Sequence, residues 1–138
     1  MKNSKTAIVV HAGAGAWDLK QDLAALAKAA CDEVAEQAIN ILQKGASALD
    51  AVELAVKFLE DCPSANAGHG ATLTTEGTAE LDAAIMSGEN LAVGAVASVK
   101  KIKNPIELAR LVMEQSPHCL LVGEGAERFA VSHKIKLC

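Results

Sequence analysis

Helical periodicity fills residues 21–60 with one interruption, and nothing of that kind recurs between residues 63 and 103. This segregation constrains the fold more than any other feature. Along residues 21–44, Leu26, Ala30, Val34, Ala38, Ile41 and Leu42 recur at three- and four-residue intervals, as in an amphipathic helix. Gly45 with Lys44 before it is a helix stop. Ser47 and Asp50 carry the spacing of an N-cap with an acid three positions on, and open a second helix running to about Glu60. Its expected core face is Val52, Ala55, Val56 and Leu59, and Pro63 forbids continuation.

Extended segments then follow one another. Residues 71–74 and 79–86 flank Glu76-Gly77 and read as a hairpin. Residues 87–90 are a turn, and 91–99 a further strand of small apolar residues. Asn104-Pro105 opens a helix to about Glu114, with Pro at its first position. Residues 120–122 are a short strand and 123–132 a last helix. Ahead of all this, residues 7–10 (Ala-Ile-Val-Val) read as a buried strand entering a glycine-rich turn, residues 11–16. Helices cluster with helices and strands with strands, so the expected class is α+β rather than alternating βαβ units. The 138 residues form one domain or part of one.

Bulk properties exclude several function classes. Net charge is −4, which argues against nucleic acid and anionic membranes as partners. No apolar run approaches the roughly 18 residues of a membrane span, and no signal-peptide core is present, so the expectation is a cytoplasmic protein. Trp17, Phe58 and Phe129 are the only aromatics; a core of alanine and glycine buries little area per residue and leans on neighbouring surface. Cys31, Cys62, Cys119 and Cys138 form no CxxC pair and read as free thiols.

Most catalytic patterns fail. Gly13-Ala14-Gly15 follows a strand, but position 18, where a dinucleotide fingerprint needs glycine, is Asp18, and no Gly-Lys-Ser/Thr ending exists. The four histidines, His11, His69, His118 and His133, lack metal-site spacing. There is no Gly-x-Ser-x-Gly elbow, and no base accompanies Cys62. Two features remain. The loop Asn66-Ala67-Gly68-His69-Gly70 exposes backbone groups and one short amide, suited to binding a cation through carbonyls or orienting a reactive group, or to an ordinary turn. Glu80 and Asp82 lie two apart in a strand and share a face, either for acid–base work or for pairing with Lys or Arg.

Residues 8–15 (IVVHAGAG), 48–53 (ALDAVE), 59–63 with 66–70 (LEDCP, NAGHG), 80–88 (ELDAAIMSG), 94–97 (GAVA), 104–110 (NPIELAR) and 116–123 (SPHCLLVG) together resemble the plant-type asparaginases, or isoaspartyl peptidases. The likeness runs from about residue 7 to residue 131. It implies an αββα sandwich of the N-terminal-nucleophile hydrolases, of which residues 1–138 are the first half only, a single incomplete domain corresponding to the α subunit. It also implies hydrolysis of L-asparagine and β-aspartyl (isoaspartyl) dipeptides by a threonine freed by self-cleavage, its own α-amine serving as base. A β subunit and an (αβ)2 assembly are the implied partners.

The family's nucleophilic threonine and substrate-gripping Arg and Asp have no counterpart in this sequence. Its only Gly-Thr pair, Gly77-Thr78, sits in the hairpin motif instead, and Ala12 stands where the family usually has glycine. The chain alone is therefore expected to be inactive. The resemblance assigns His11, Gly13 and Asn66 to the active-site wall that positions the scissile peptide during self-cleavage. It assigns the main-chain carbonyls of Leu59, Glu60, Cys62, Ala65, Ala67 and His69 to a structural sodium ion; no other cofactor is implied. The alternative is a non-catalytic truncated product that binds the full-length enzyme.

Overall fold

The computed structural model describes residues 6–13 and 23–138. Their elements run α1 (Leu23–Gln43), α2 (Ala48–Asp61), a 3-10 turn (Gly68–Gly70), β1 (Leu81–Met86), β2 (Val93–Val99), α3 (Pro105–Gln115), β3 (Leu120–Val122) and α4 (Gly123–Ser132). The start expected for the first helix at residue 21, and the glycine-rich turn from Ala14 onward, lie outside the described residues.

α1 and α2 pair through small residues: Ala27, Ala30, Val34 and Ala38 on one side, Ala51, Ala55 and Leu59 on the other, all buried. Two expected core residues are corrected here. Leu26 is 53% exposed and Val52 38%. Alanine surrounds both helices, so the apolar stripe could be drawn one residue to either side, and packing selects 27-30-34-38 and 51-55-59. The expected capping box at the start of α2 is present: Asp50 N–H donates to Ser47 Oγ at 3.1 Å, and Ser47 N–H to Asp50 Oδ2 at 3.0 Å. Cys62 caps the other end, ahead of Pro63.

The sheet is ordered β1-β2-β3, with β1 antiparallel and β3 parallel to β2. Registers Ala83↔Val96, Ile85↔Gly94 and Val96↔Leu121 put Ala83, Ile85, Gly94, Val96 and Leu121 on one face. α3 and α4 cover that face with Ile106, Leu108, Ala109, Val112, Ala126 and Ala130. Gly94 makes the close approach possible. A Cβ there would lie 2.1 Å from the Ala109 carbonyl oxygen and 2.5 Å from Met113 N. The opposite face carries Ala84, Met86, Leu120 and Val122, and the last three are more than half exposed. α2 joins α3 through charge: Arg110 Nη1 lies 2.8 Å from Asp50 and 2.6 Å from Glu53, while Lys57 pairs with Glu107.

The described residues form a mixed α/β structure, and β2, α3 and the parallel β3 make one βαβ unit where layered packing without such units was expected; two further corrections follow. Residues 7–10 are extended but belong to no strand, and Val9 is 93% exposed. A strand needs a neighbour for its N–H and C=O groups, and no described residue supplies one. Residues 71–74 likewise form no strand. The Glu76-Gly77 turn closes as expected, with Thr74 N–H donating to Thr78 O at 2.9 Å, but Thr72 bonds to Asn66 and β1 takes β2 as its partner. The tail from Lys134 turns back on the core. Ile135 and Leu137 pack against it, and Cys138 N–H donates to Lys101 O at 3.0 Å.

Candidate functional site

The loop after α2 curls tightly onto itself. Cys62 N–H returns to Leu59 O, Ala65 N–H to Cys62 O, and Gly70 N–H to Ala67 O. Gly68, at φ 50°, lies so near the Glu60 carbonyl that an added Cβ would sit 2.3 Å from its oxygen. A Cβ on Gly70 would sit 2.1 Å from Ala65 O and 2.7 Å from Pro63 O. Only glycine lets the backbone pass this close. The result is a loop whose backbone at Gly68 and Gly70 abuts the carbonyls of residues 60, 63 and 65.

Asn66 closes the far side. Its Oδ1 accepts both Thr72 N–H, at 2.8 Å, and Thr72 Oγ1–H, at 3.0 Å. Two donors on one oxygen fix the amide plane, so its NH2 points away from Thr72 with two donors to offer. Asn66 lines a groove of about 350 Å³ between the α2 end, this loop, β1 and the start of α3. Glu60, Val56, Asp82, Ala84 and Ile106 line it too.

Sequence reasoning missed the Glu60 side chain. Only 2% of the residue is exposed. Oε1 accepts Ile106 N–H at 3.0 Å, capping α3 from a different helix, whereas Oε2 is buried without a partner. Burial first, then the charges of Asp61 and Glu107, push the carboxyl up to about 7, against the opposing pull of the Ile106 N–H bond. A signal was present: Glu60 follows Val56 by four, an acid on the inward side of an apolar helix.

The other expected site residues are placed as follows. Gly13 has φ 99°, so the turn does need glycine there. Ala12 is outside the left-handed region, so its methyl group adds no backbone strain. Val10 packs against the cluster of Ala30, Leu59 and Ala65, and neither His11 nor Gly13 lines the groove. His69 is exposed. Glu80 and Asp82 do converge, on a bulge rather than as an acid–base pair. Ser98, at φ 53°, donates Oγ–H to Glu80 at 2.6 Å and N–H to Asp82 at 2.8 Å, while Lys100 lies 2.9 Å from Glu80. Lys100 and Ser98 hold the Glu80 carboxyl below its ordinary range. The Thr78 hydroxyl is bonded to that of Thr74 at 2.9 Å, tied into its turn. Cys62 Sγ lies 3.1 Å from Ser64 Oγ, with no histidine beside it among the described bonds.

The sequence pattern of the asparaginase family matches residues 4–138. The chain belongs to the asparaginase family. It is 49% identical over 123 residues to an isoaspartyl peptidase/L-asparaginase of Rattus norvegicus, covering 89% of this chain and 37% of that protein. It is 48% identical over 134 residues to an isoaspartyl peptidase of Salmonella typhimurium, covering 94% and 42%, and 48% identical over 131 residues to an isoaspartyl peptidase of Escherichia coli, covering 91% and 40%. The chain thus spans about two fifths of the curated relatives it matches. The family resemblance read from the motifs is established. Among the described residues no helix is long and apolar enough to cross a membrane, and no three His, Cys, Asp or Glu side chains gather as a metal site.

Proposed function

We propose that this chain is the α portion of a cytoplasmic isoaspartyl peptidase/L-asparaginase that hydrolyses L-asparagine and β-aspartyl dipeptides. The nucleophilic threonine and the groups gripping the substrate belong to the remaining portion of such a protein. The match of nearly the whole chain to two fifths of proteins carrying that name is the observation that supports this most strongly. The structure adds a chemical reason. Thr72 holds the Asn66 amide through its oxygen, which leaves its nitrogen to donate elsewhere, as positioning a scissile peptide in self-cleavage would require. His11 and Gly13 complete that wall in the assembled αββα sandwich, within an (αβ)2 assembly.

The reading includes a structural sodium ion held by the loop from Leu59 to His69. Its donors are neutral carbonyl oxygens of Leu59, Glu60, Cys62, Ala65, Ala67 and His69, hard ligands that suit a weakly polarising cation better than zinc or iron. The glycines at 68 and 70 let the backbone pass close to the Glu60 and Ala65 carbonyls. The ion's contribution is electrostatic, holding the loop that carries Asn66.

Ammonia release from L-asparagine tests the reading. The pure 138-residue chain is expected to release none, and the chain coexpressed with the rest of a relative is expected to release it. Hydrolysis by the chain alone would show that the nucleophile lies within it. A second reading, a non-catalytic product that binds the full-length enzyme, draws support from the exposed apolar face at Met86, Leu120 and Val122. Co-purification with the intact enzyme, without gain of activity, distinguishes it.

A further inference from the structure

A second groove, of about 290 Å³, lies between α4 and the returning tail and shares no lining residue with the groove beside Asn66. Lys101, Glu124, Glu127, Arg128, Val131 and Leu137 line it. The four from α4 follow one another at three- and four-residue spacing, so they share one helix face. The tail supplies the facing wall: Cys138 N–H donates to Lys101 O at 3.0 Å, and Leu137 packs against the core.

Glu127 is the group that calls for a ligand. Its side chain is only 9% exposed, against 62% for Lys101, 74% for Arg128 and 88% for Glu124. Oε1 accepts the N–H groups of Lys100 and Lys101, at 2.9 and 3.2 Å. Oε2 accepts no hydrogen bond among the described residues, and Lys101 Nζ stands 4.0 Å from it, beyond bonding distance. A carboxylate held this deep gains most from a donor that is itself charged.

The rim sets the rest of the ligand. Arg128 is tied to Glu124 only at 3.5 Å, with both side chains mostly exposed, so it is free to take another anion, as is Lys101. Two cations and two carboxylates make the lining neutral overall while presenting both signs, which suits a zwitterion better than a simple ion. Val131, more than half exposed, and Leu137 add an apolar wall. The volume is at the small end for ligand sites, the size of a single amino acid rather than of a nucleotide.

We propose that this groove binds a free α-amino acid with an apolar side chain. Its ammonium donates to Glu127 Oε2, its carboxylate meets Lys101 and Arg128, and its side chain covers Val131 and Leu137. The site is separate from the Asn66 groove, so its occupancy does not depend on the hydrolase reading.

The probes are L-leucine, L-leucinamide, which lacks the carboxylate, and N-acetyl-L-leucine, which lacks the ammonium. Each is titrated into the isotopically labelled chain and followed by amide shifts in the nuclear magnetic resonance spectrum. L-Leucine is expected to shift Lys101, Glu127 and Leu137 saturably and to bind about tenfold more tightly than either analogue. Glu127→Gln keeps an oxygen for the Lys100 and Lys101 N–H groups but loses the charge, and is expected to weaken L-leucine binding about tenfold. Arg128→Gln, at an exposed position that leaves the fold intact, should weaken it as well, whereas Glu36→Gln, on exposed α1 surface, should not. No saturable shift at millimolar L-leucine, equal binding of the three compounds, or unchanged affinity in both groove variants overturns the inference.

Discussion

Raising the pH from 5 to 8 should destabilise this chain, and Glu60→Gln should abolish that part of the dependence. Burial lifts the Glu60 carboxyl from an ordinary 4.5 to about 7. Below pH 4.5 the group is protonated whether the chain is folded or not. Between 4.5 and 7 the unfolded chain gives up the proton while the folded chain keeps it, so folding becomes less favourable as pH rises, and the loss is complete above about 7. About 1.4 kcal/mol per unit makes the full loss roughly 3.5 kcal/mol, of which roughly 2.5 kcal/mol falls between pH 5 and 8. At a urea dependence of about 1–3 kcal/mol/M, this shifts the unfolding midpoint by about 1 M. Gln keeps the oxygen that accepts Ile106 N–H and cannot titrate. Urea unfolding of both proteins across that range, followed by far-ultraviolet circular dichroism, isolates Glu60, because the four histidines are common to both. Parallel stability profiles would refute the argument, since they would mean that the buried carboxyl is either solvated or partnered in the folded chain.

Gly94→Ala should cost at least about 1–3 kcal/mol, because the new methyl group drives α3 off β2; Gly88→Ala, where a Cβ meets nothing within 4 Å, should be neutral in the same thermal melt. Lys134→Gly should stabilise the chain by about 0.5–1 kcal/mol. Lys134 holds φ 66° at the end of α4, where Ile135 N–H reaches Ala130 O and Lys134 N–H reaches Val131 O; a lower melting temperature would contradict this. Ser47→Ala should cost about 1 kcal/mol through loss of the capping box. Bonds from Ser47, then Arg110, hold the Asp50 carboxyl at about 2, so its contribution is present above pH 3.8 and fades as pH falls toward 2. The Ser47→Ala variant should therefore lose less stability across that acid window than the parent, as measured by acid titration of circular dichroism.

Local chemistry was legible in the sequence wherever a few neighbouring residues settle it. The Ser47–Asp50 cap, the stop at Pro63, the opening of α3 at Pro105 and the turn at Glu76-Gly77 all depend on backbone preferences within one turn of chain, and all are observed. The order of helices and strands followed, as did the family, whose motifs are short and ordered along the chain. Tertiary structure decided the rest. Which of several apolar stripes faces inward on an alanine-rich helix depends on the partner helix, so Leu26 and Val52 turned outward. Whether an extended run becomes a strand depends on a distant edge being within reach, so residues 7–10 and 71–74 did not become strands, whereas β1 found β2. Glu60 shows the limit most directly. Its identity and place on α2 are in the sequence, but its burial and its bond to a helix 46 residues away arise only when α2 and α3 pack. A carboxyl's environment is a property of everything folded around it, and sequence spacing cannot encode that.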